Sequence, residues 1–204
     1  CHDVLLWGER GSGKSSSVKG LLRLFADKGL RLVELQRQDL LTLPTLMALL
    51  RPLPFRFIVF CDDLSFDEGE GEYRELKAFL DGGIEERPGN VRFYATSNRR
   101  HLIPERFDDQ DHGEIHPEEG VAEKLSLADR FGLTLGFYSF DQQTYLAIVD
   151  RYAQREGVVM EREELHQLAV RWAMRRGQRS GRAARQFVDD LAGRQRLALL
   201  QVTK

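Results

Sequence analysis

Short apolar runs and helical apolar stripes alternate along the first 140 residues. Five runs have the length and composition of strands, at Val4–Trp7, Leu30–Leu35, Phe55–Cys61, Val91–Ala95 and Leu133–Tyr138. Between them, apolar residues at helical spacing predict helices around Val18–Phe25, Leu43–Leu50 and Tyr73–Leu80. The third run is almost continuously apolar, which predicts a strand buried on both faces. This alternation predicts an α/β domain whose five-stranded parallel sheet is covered by helices on both faces.

After Asp141 the apolar residues follow helical spacing alone. Three stripes predict three short helices: Tyr145, Ile148, Val149 and Tyr152; Leu165, Leu168, Ala169 and Trp172; and Phe187, Val188 and Leu191. The charge balance changes in the same region. Residues 1–150 carry 18 Lys and Arg against 26 Asp and Glu, whereas residues 151–204 carry 12 against 6. We therefore predict two domains, an α/β core at residues 1–139 and a small helical domain at residues 140–204.

Composition is typical of a folded, soluble protein. Hydrophobic residues make up 42% and charged residues 30% of the 204 residues, which argues against disorder. No apolar run approaches the roughly 18–20 residues that span a bilayer, and no basic-then-apolar leader opens the sequence. Two cysteines exclude a disulfide scaffold, and Cys61 is expected to be a buried, reduced thiol. We expect a cytoplasmic protein without membrane contact, and the start at Cys1 instead of Met suggests a fragment.

A glycine-rich loop between the first predicted strand and the first predicted helix carries the clearest chemical signal. It fits the phosphate-binding loop pattern in full and consists of Gly8, Glu9, Arg10, Gly11, Ser12, Gly13, Lys14 and Ser15. Successive backbone N–H groups at a helix start bind anions. We therefore predict an ATP site, with Lys14 on the β- and γ-phosphates and Ser15 on Mg²⁺. The alternative, a glycine-rich turn that matches by accident, is expected in about 1% of chains of this length.

Polar residues follow the third and fourth predicted strands. Asp62 and Asp63 come directly after a buried strand, at the end where α/β sheets bind ligands. We predict that Asp62 holds Mg²⁺, directly or through water, and that Asp63 polarises the attacking water. An ordinary strand-to-turn Asp pair is the alternative. The fourth strand ends in Thr96-Ser97-Asn98, a polar tip that either orients the water together with Asp63 or forms a common turn.

Taken in order, these segments resemble the AAA+ ATPases over nearly the whole chain. The matching segments are Gly8–Ser15 as Walker A, Phe57–Asp63 as Walker B, Asn98 as sensor 1, Ala128–Gly132 with Arg130 as an arginine finger, and Ser180–Arg182 as sensor 2. Similarity to one bacterial group within AAA+, the family named domain of unknown function 815, is carried by the segments Cys61–Phe66, Tyr94–His101 and Gly113–Pro117. The resemblance implies a P-loop NTPase (AAA+) core, a helical lid at residues 140–204, bound ATP and Mg²⁺, and a homo-oligomer.

The resemblance assigns two arginines to the γ-phosphate. Arg130 is expected to reach the nucleotide of a neighbouring subunit, and the alternative for this residue is a surface ion pair. Arg182 is expected to act from the lid of the same subunit. It competes for that role with Arg185, one helical turn later, and a solvated helix face is the alternative for both.

Three features depart from the AAA+ pattern. The Walker B segment ends Asp-Asp where Asp-Glu is usual, and the shorter side chain of Asp63 requires a different position for the water. Residues 36–54 lack the aromatic-hydrophobic-Gly pore loop of threading unfoldases. Contacts to adenine usually come partly from residues before the first strand, and only three residues precede it here.

The long irregular stretch at residues 98–120 is rich in Asp, Glu and His. Its carboxylates and imidazoles between Asp108 and Glu119 suit zinc or manganese, although their spacing fits no metal-site pattern. Because the stretch leads towards Arg130, we favour a contact surface for a neighbouring subunit over a metal site.

Two functions remain open from the sequence. The first is an ATPase that binds Mg-ATP, hydrolyses it at a subunit interface, and remodels or loads a protein or nucleic-acid client. The second is a nucleotide-gated binding module with slow or vestigial hydrolysis. The finger and sensor candidates favour the first, whereas the Asp-Asp pair and the missing pore loop favour the second. A small-molecule phosphotransferase ranks third, because the helical domain follows the sheet instead of interrupting it.

Overall fold

The structure is a computed structural model, and it describes residues 2–66, 71–82, 88–98 and 127–202. These residues form two compact units. The core unit contains the described residues up to Gly8 and those from Lys14 to Phe137. The helical unit contains Glu9–Gly13 and the described residues from Tyr138 onward. The predicted domain boundary between residues 139 and 140 remains a prediction.

The core unit is built on a five-stranded, fully parallel sheet. Its strands are β1 (Val4–Gly8), β2 (Leu30–Leu35), β3 (Arg56–Cys61), β4 (Val91–Ser97) and β5 (Leu133–Phe137). The spatial order is β2-β3-β4-β1-β5, which places β1 between β4 and β5. All five predicted strands are therefore confirmed. The fourth extends two residues beyond its predicted end, so that Thr96 and Ser97 belong to the strand.

Helices cover both faces of this sheet, as predicted. They are α1 (Lys14–Phe25), α2 (Leu43–Leu50) and α3 (Gly71–Leu80), with short 3₁₀ turns at Ala26–Lys28 and Arg37–Thr42. Neighbouring residues of a strand point to opposite faces. Accordingly, Leu5 and Val59 pack in one cluster with α2 and α3, whereas Leu6 and Ile58 pack in another with Val18 of α1. Burial of the β3 side chains from Phe57 to Cys61 confirms that this strand is covered on both sides.

The helical unit contains three helices around a core of its own. They are α4 (Gln142–Glu156), α5 (Arg162–Arg176) and α6 (Gly181–Val202). Asp141 caps α4 by accepting a hydrogen bond from the Thr144 amide at 2.7 Å, and this bond lowers the pKa of the Asp141 carboxyl. The predicted apolar stripes meet in one cluster, in which Tyr145 donates a hydrogen bond to the Ala169 carbonyl at 3.1 Å. None of the helices among the described residues is both long and apolar enough to cross a bilayer.

Candidate functional site

The glycine-rich loop starts at a position that only glycine can occupy. Gly8 ends β1 with a φ of +129°, and a Cβ added there would collide with the carbonyl oxygen of Phe137 on β5. Two further glycines of the loop, Gly11 and Gly13, have φ angles of +76° and +101°. Between them, Ser12 closes a turn because its hydroxyl donates to the Glu9 carbonyl at 2.7 Å. The three pattern glycines thus supply the left-handed backbone that the loop needs.

Lys14 begins α1 and is nearly buried, with 7% of the residue exposed. Its ammonium group donates to the Gly8 carbonyl at 2.7 Å and to Asn98 Oδ1 at 3.3 Å. Both of these acceptors are neutral oxygens. An ammonium group at a helix start that follows a glycine-rich loop is suited to an anionic ligand.

Ser15 and Asp62 come together as the sequence predicts. Ser15 lies on the first turn of α1, and Asp62 directly follows β3. The Ser15 hydroxyl donates a hydrogen bond to Asp62 Oδ1 at 2.7 Å. Hydroxyl and carboxylate oxygens are hard ligands of the kind that Mg²⁺ prefers, and Mg²⁺ usually takes only one or two carboxylates from the protein. The pair therefore fits this ion. No group of three His, Cys, Asp or Glu side chains within the described residues has a metal-binding arrangement. The candidate ligands between Asp108 and Glu119 lie outside the described residues.

Asp63 and Asn98 form the second predicted pair. The Asn98 side-chain amide donates to Asp63 Oδ1, while its carbonyl oxygen accepts from Lys14. Asp63 has a φ of +55°, the left-handed region, and its amide donates to the Thr96 hydroxyl at 2.9 Å. Thr96 also donates to Asp62 Oδ1. The sequence identified the polar tip of the fourth strand but not this role of Thr96, because Asp62 and Asp63 are far from it in the sequence.

Cys61, the residue before these carboxylates, is chemically quiet. The thiol is free and fully buried, which confirms the predicted burial of this cysteine. Burial, with a smaller contribution from neighbouring Asp62, raises the pKa of Cys61 to about 12. The thiol therefore stays protonated at neutral pH and is a poor nucleophile.

In the helical unit, loop residue Gly11 lies against the start of α6. The Gly181 amide donates to the Gly11 carbonyl at 2.9 Å, and a Cβ at Gly11 would meet the Arg182 Cβ at 3.3 Å. Arg182 thus starts beside Gly11. Arg185 instead shares its Nε–H between the two carboxylate oxygens of Asp189 and has a second contact with Glu156. This difference favours Arg182 over Arg185 as the lid cation, although its role remains a prediction.

A cavity of about 480 Å³ opens beside the same part of the helical unit. Its lining includes Glu9, Ser139, Phe140, Met174, Gln178 and Arg179. The volume lies within the range of small-molecule sites. Sequence reasoning did not identify this cavity, because its walls come from a loop, a linker and a helix end that are distant in sequence.

Arg130 occupies an ion pair within its own chain. Its guanidinium contacts the carboxylate of Asp81, the residue that follows α3, and 25% of the Arg130 side chain is exposed. This contact is the surface ion pair that the sequence left open as the alternative to a finger. The role of Arg130 as a finger remains a prediction.

Comparison with known proteins places the chain in a family. Residues 1–195 match the family described as "Protein of unknown function (DUF815)". The chain belongs to DUF815. This confirms the family resemblance inferred from the sequence. A comparison of this DUF815 chain with curated proteins gives no significant match.

Solved structures similar to the DUF815 chain include a branch migration motor and an AAA domain. The Thermotoga maritima RuvB Holliday junction branch migration motor has a TM-score of 0.61 and 18% identity, with 99% of this chain and 56% of that chain covered. The FIGL-1 AAA domain in complex with ADP has a TM-score of 0.56 and 18% identity, with 93% and 60% covered. The DUF815 chain therefore spans little more than half the length of RuvB. These likenesses confirm the predicted fold class, a P-loop NTPase (AAA+) core followed by helices.

Proposed function

We propose that the DUF815 chain binds Mg-ATP and hydrolyses it at an interface between subunits, driving the remodelling or loading of a client protein or nucleic acid. The observation that carries the proposal is a set of hydrogen bonds between the start of α1 and the ends of β3 and β4. Lys14 donates to Asn98, Asn98 donates to Asp63, and Ser15 donates to Asp62. These are the residue types that phosphoryl transfer from ATP requires.

Each of these side chains has a distinct task in the proposed reaction. The loop amides and Lys14 hold the phosphates, while Ser15 and Asp62 would hold Mg²⁺. The metal, when bound, neutralises charge on the phosphate oxygens. Asp63 accepts a hydrogen bond from the attacking water, and Asn98 holds the Asp63 carboxylate in place. The residues therefore supply positioning and charge, which account for most of the catalysis in phosphoryl transfer.

The remaining groups extend the proposal to the rest of the nucleotide. The cavity beside Glu9 and Phe140 is large enough for a purine and offers both an aromatic face and polar groups. Arg182 contacts the γ-phosphate from the same subunit, and Arg130 supplies the finger to a neighbour in a homo-oligomer. The proposal places this activity in the cytoplasm.

One observation favours the second candidate, a nucleotide-gated binding module with slow hydrolysis. Arg130 is already paired with Asp81 in the isolated chain. If Arg130 stays in this ion pair, it contributes nothing to the site of a neighbouring subunit. Hydrolysis then lacks an arginine finger, which typically raises the rate of hydrolysis about 10³–10⁵-fold. Nucleotide binding would persist in this case.

A pair of lysines tests the binding step. We expect Lys14→Ala to weaken Mg-ATP binding sharply in isothermal titration calorimetry, because the buried ammonium is lost. Lys19→Ala, five residues later on the same helix, is the matched control, because this exposed lysine pairs with Glu34. Circular dichroism checks that both variants are folded. The proposal would be contradicted if the parent chain gave no heat of binding with millimolar ATP and Mg²⁺. It would also be contradicted if the two variants bound Mg-ATP with equal affinity.

A further inference from the structure

Thr96 joins the two carboxylates at the end of β3. It is the sixth residue of β4 and is buried, with 1% of the residue exposed. Three consecutive residues bind to it. Its hydroxyl contacts Asp62 Oδ1, the Asp63 amide donates to the same hydroxyl at 2.9 Å, and the Leu64 amide donates to the Thr96 carbonyl at 2.7 Å.

The chemistry of these groups fixes the direction of each bond. A backbone amide only donates, so the Thr96 hydroxyl accepts from Asp63 and its single hydrogen is free for Asp62. An ionised carboxylate only accepts, which agrees with this assignment. One hydroxyl therefore holds the side chain of Asp62 and the backbone of Asp63 at the same time.

The Asp63 backbone and the Asp62 side chain, which Thr96 holds, both depend on specific hydrogen bonds for their conformation. The φ of +55° at Asp63 is uncommon for a residue other than glycine, and the bond from its amide to Thr96 fixes the turn there. That turn directs the Asp63 side chain to Asn98. On the other side, Asp62 Oδ1 receives a hydroxyl from Thr96 on β4 as well as one from Ser15 on α1.

We propose that Thr96 is a positioning residue that sets the orientation of both carboxylates for hydrolysis. The inference rests on the proposed function, in which Asp62 holds Mg²⁺ and Asp63 orients the water. Thr96 acts through these two residues and touches neither nucleotide nor metal. Loss of its hydroxyl leaves the Asp63 amide without this acceptor and leaves Asp62 with one fewer donor, so both carboxylates gain alternative orientations.

Two substitutions isolate the hydroxyl. Thr96→Val keeps the shape and removes the hydroxyl, whereas Thr96→Ser keeps the hydroxyl. We expect Thr96→Val to lower kcat about 10–100-fold, in line with loss of a hydrogen bond to a charged group, and to leave the KM for ATP within about twofold. The Mg²⁺ concentration needed for half-maximal activity should rise. Thr96→Ser should restore both quantities to within about threefold of the parent.

A purely structural role predicts a different outcome. In that case Thr96→Val would lower thermal stability, while the folded fraction would keep the parent kcat and Mg²⁺ dependence, and this result would overturn the proposal. Failure of Thr96→Ser to restore activity would overturn it as well. Should Thr96→Val not fold, Thr96→Ala takes its place in the same comparison.

Hydrogen exchange separates this inference from the proposed function. The Asp63 amide should exchange faster in Thr96→Val than in the parent and return to the parent rate in Thr96→Ser, as measured by NMR. Parent-like exchange in Thr96→Val overturns the contact on which the inference rests. A parent chain that shows no ATP turnover at any protein concentration overturns the proposed hydrolysis instead, even where the exchange rates follow the expected order.

Discussion

Asp62 and Asp63 are adjacent in the sequence, yet their carboxylates have different partners. Asp62 accepts hydroxyl hydrogens from Ser15 and Thr96, whereas Asp63 accepts from the Asn98 amide. The first set of partners suits a metal ligand, because hydroxyl and carboxylate oxygens lie side by side. The second suits a group that must hold water, because an amide orients the carboxylate without neutralising it. Removal of the two charges should therefore have different consequences.

We expect Asp63→Asn to bind Mg-ATP with an affinity within a few-fold of the parent and to lose turnover by about 10²–10⁴-fold. The physical reason is that the charge at the water is needed mainly in the transition state. Asp62→Asn should lose turnover and also require more Mg²⁺ for tight ATP binding. Calorimetry at several Mg²⁺ concentrations and phosphate-release assays make the comparison. Parent-like turnover in Asp63→Asn would move the role of base to another residue.

Sequence patterns could predict the residues of this site that belong to a contiguous motif. Gly8, Lys14 and Ser15 follow from loop spacing, because each spacing is fixed by the loop and the first helical turn. Thr96 and Asp81 could not be predicted in the same way. Their partners are distant in sequence, and which hydroxyl or carboxylate faces them depends on strand length and side-chain rotamer.

At the scale of elements, the contact between α6 and the glycine-rich loop depends on two glycines. The Gly181 amide donates to the Gly11 carbonyl, and a Cβ at Gly181 would lie 3.2 Å from that same oxygen. This separation is tighter than ordinary van der Waals contact. The start of α6 therefore approaches the loop backbone as closely as it does because neither residue has a side chain.

Gly181→Ala tests whether this contact supports nucleotide binding. We expect the added methyl group to push the start of α6 away from Gly11 and to raise the Kd for Mg-ATP about 3–10-fold, in line with loss of one hydrogen bond of ordinary strength. Gly193→Ala is the matched control on the same helix, because its Cβ would meet no neighbouring atom within 4 Å. The control should bind ATP normally and melt at a higher temperature, since alanine favours a helix interior. Equal Kd values for the two variants would show that the contact is irrelevant to binding.

The sequence predicted the elements themselves well, because their apolar spacing is regular. It could not predict the spatial order of the strands or the contact between Gly11 and Gly181. Both are decided by packing between segments that are far apart in the chain.

At the scale of the whole molecule, the ion pair between Arg130 and Asp81 bears directly on assembly. An exposed or partly exposed pair of this kind stabilises a chain by at most about 1 kcal/mol, so a competing anion can displace Asp81 at little cost. A phosphate oxygen of a neighbouring subunit is such an anion. The same arginine can therefore be paired in the isolated chain and act as a finger in an assembly.

We expect specific ATPase activity to rise with protein concentration, because an isolated subunit lacks the finger. Arg130→Ala should bind ATP normally and hydrolyse it about 10³-fold more slowly or worse. Asp81→Asn is the matched variant, since it breaks the same ion pair but keeps the arginine, and it should retain turnover. A structural ion pair would instead make the two variants lose stability alike, with specific activity unchanged.

A mixing experiment gives the sharper test of the shared site. Arg130→Ala keeps Asp63, and Asp63→Asn keeps Arg130, so a mixed interface can contain one complete site. Recovery of phosphate release on mixing the two inactive variants is the expected result. Turnover that is independent of protein concentration, with no recovery on mixing, would show that Arg130 is a surface residue and that the chain works as a monomer.

The left-handed φ of Asp63 also restricts which acids this position accepts. Aspartate and asparagine are enriched several-fold among non-glycine residues with positive φ, and glutamate is not. The Asp-Asp ending, which departs from the usual Asp-Glu pattern of AAA+ proteins, is thus the acidic pair that this turn tolerates best. A change from Asp63 to Glu would impose a backbone cost before it altered any chemistry. Asparagine is consequently the substitution that tests the proposed role of Asp63 without disturbing the turn, whereas glutamine would add backbone strain to the loss of charge.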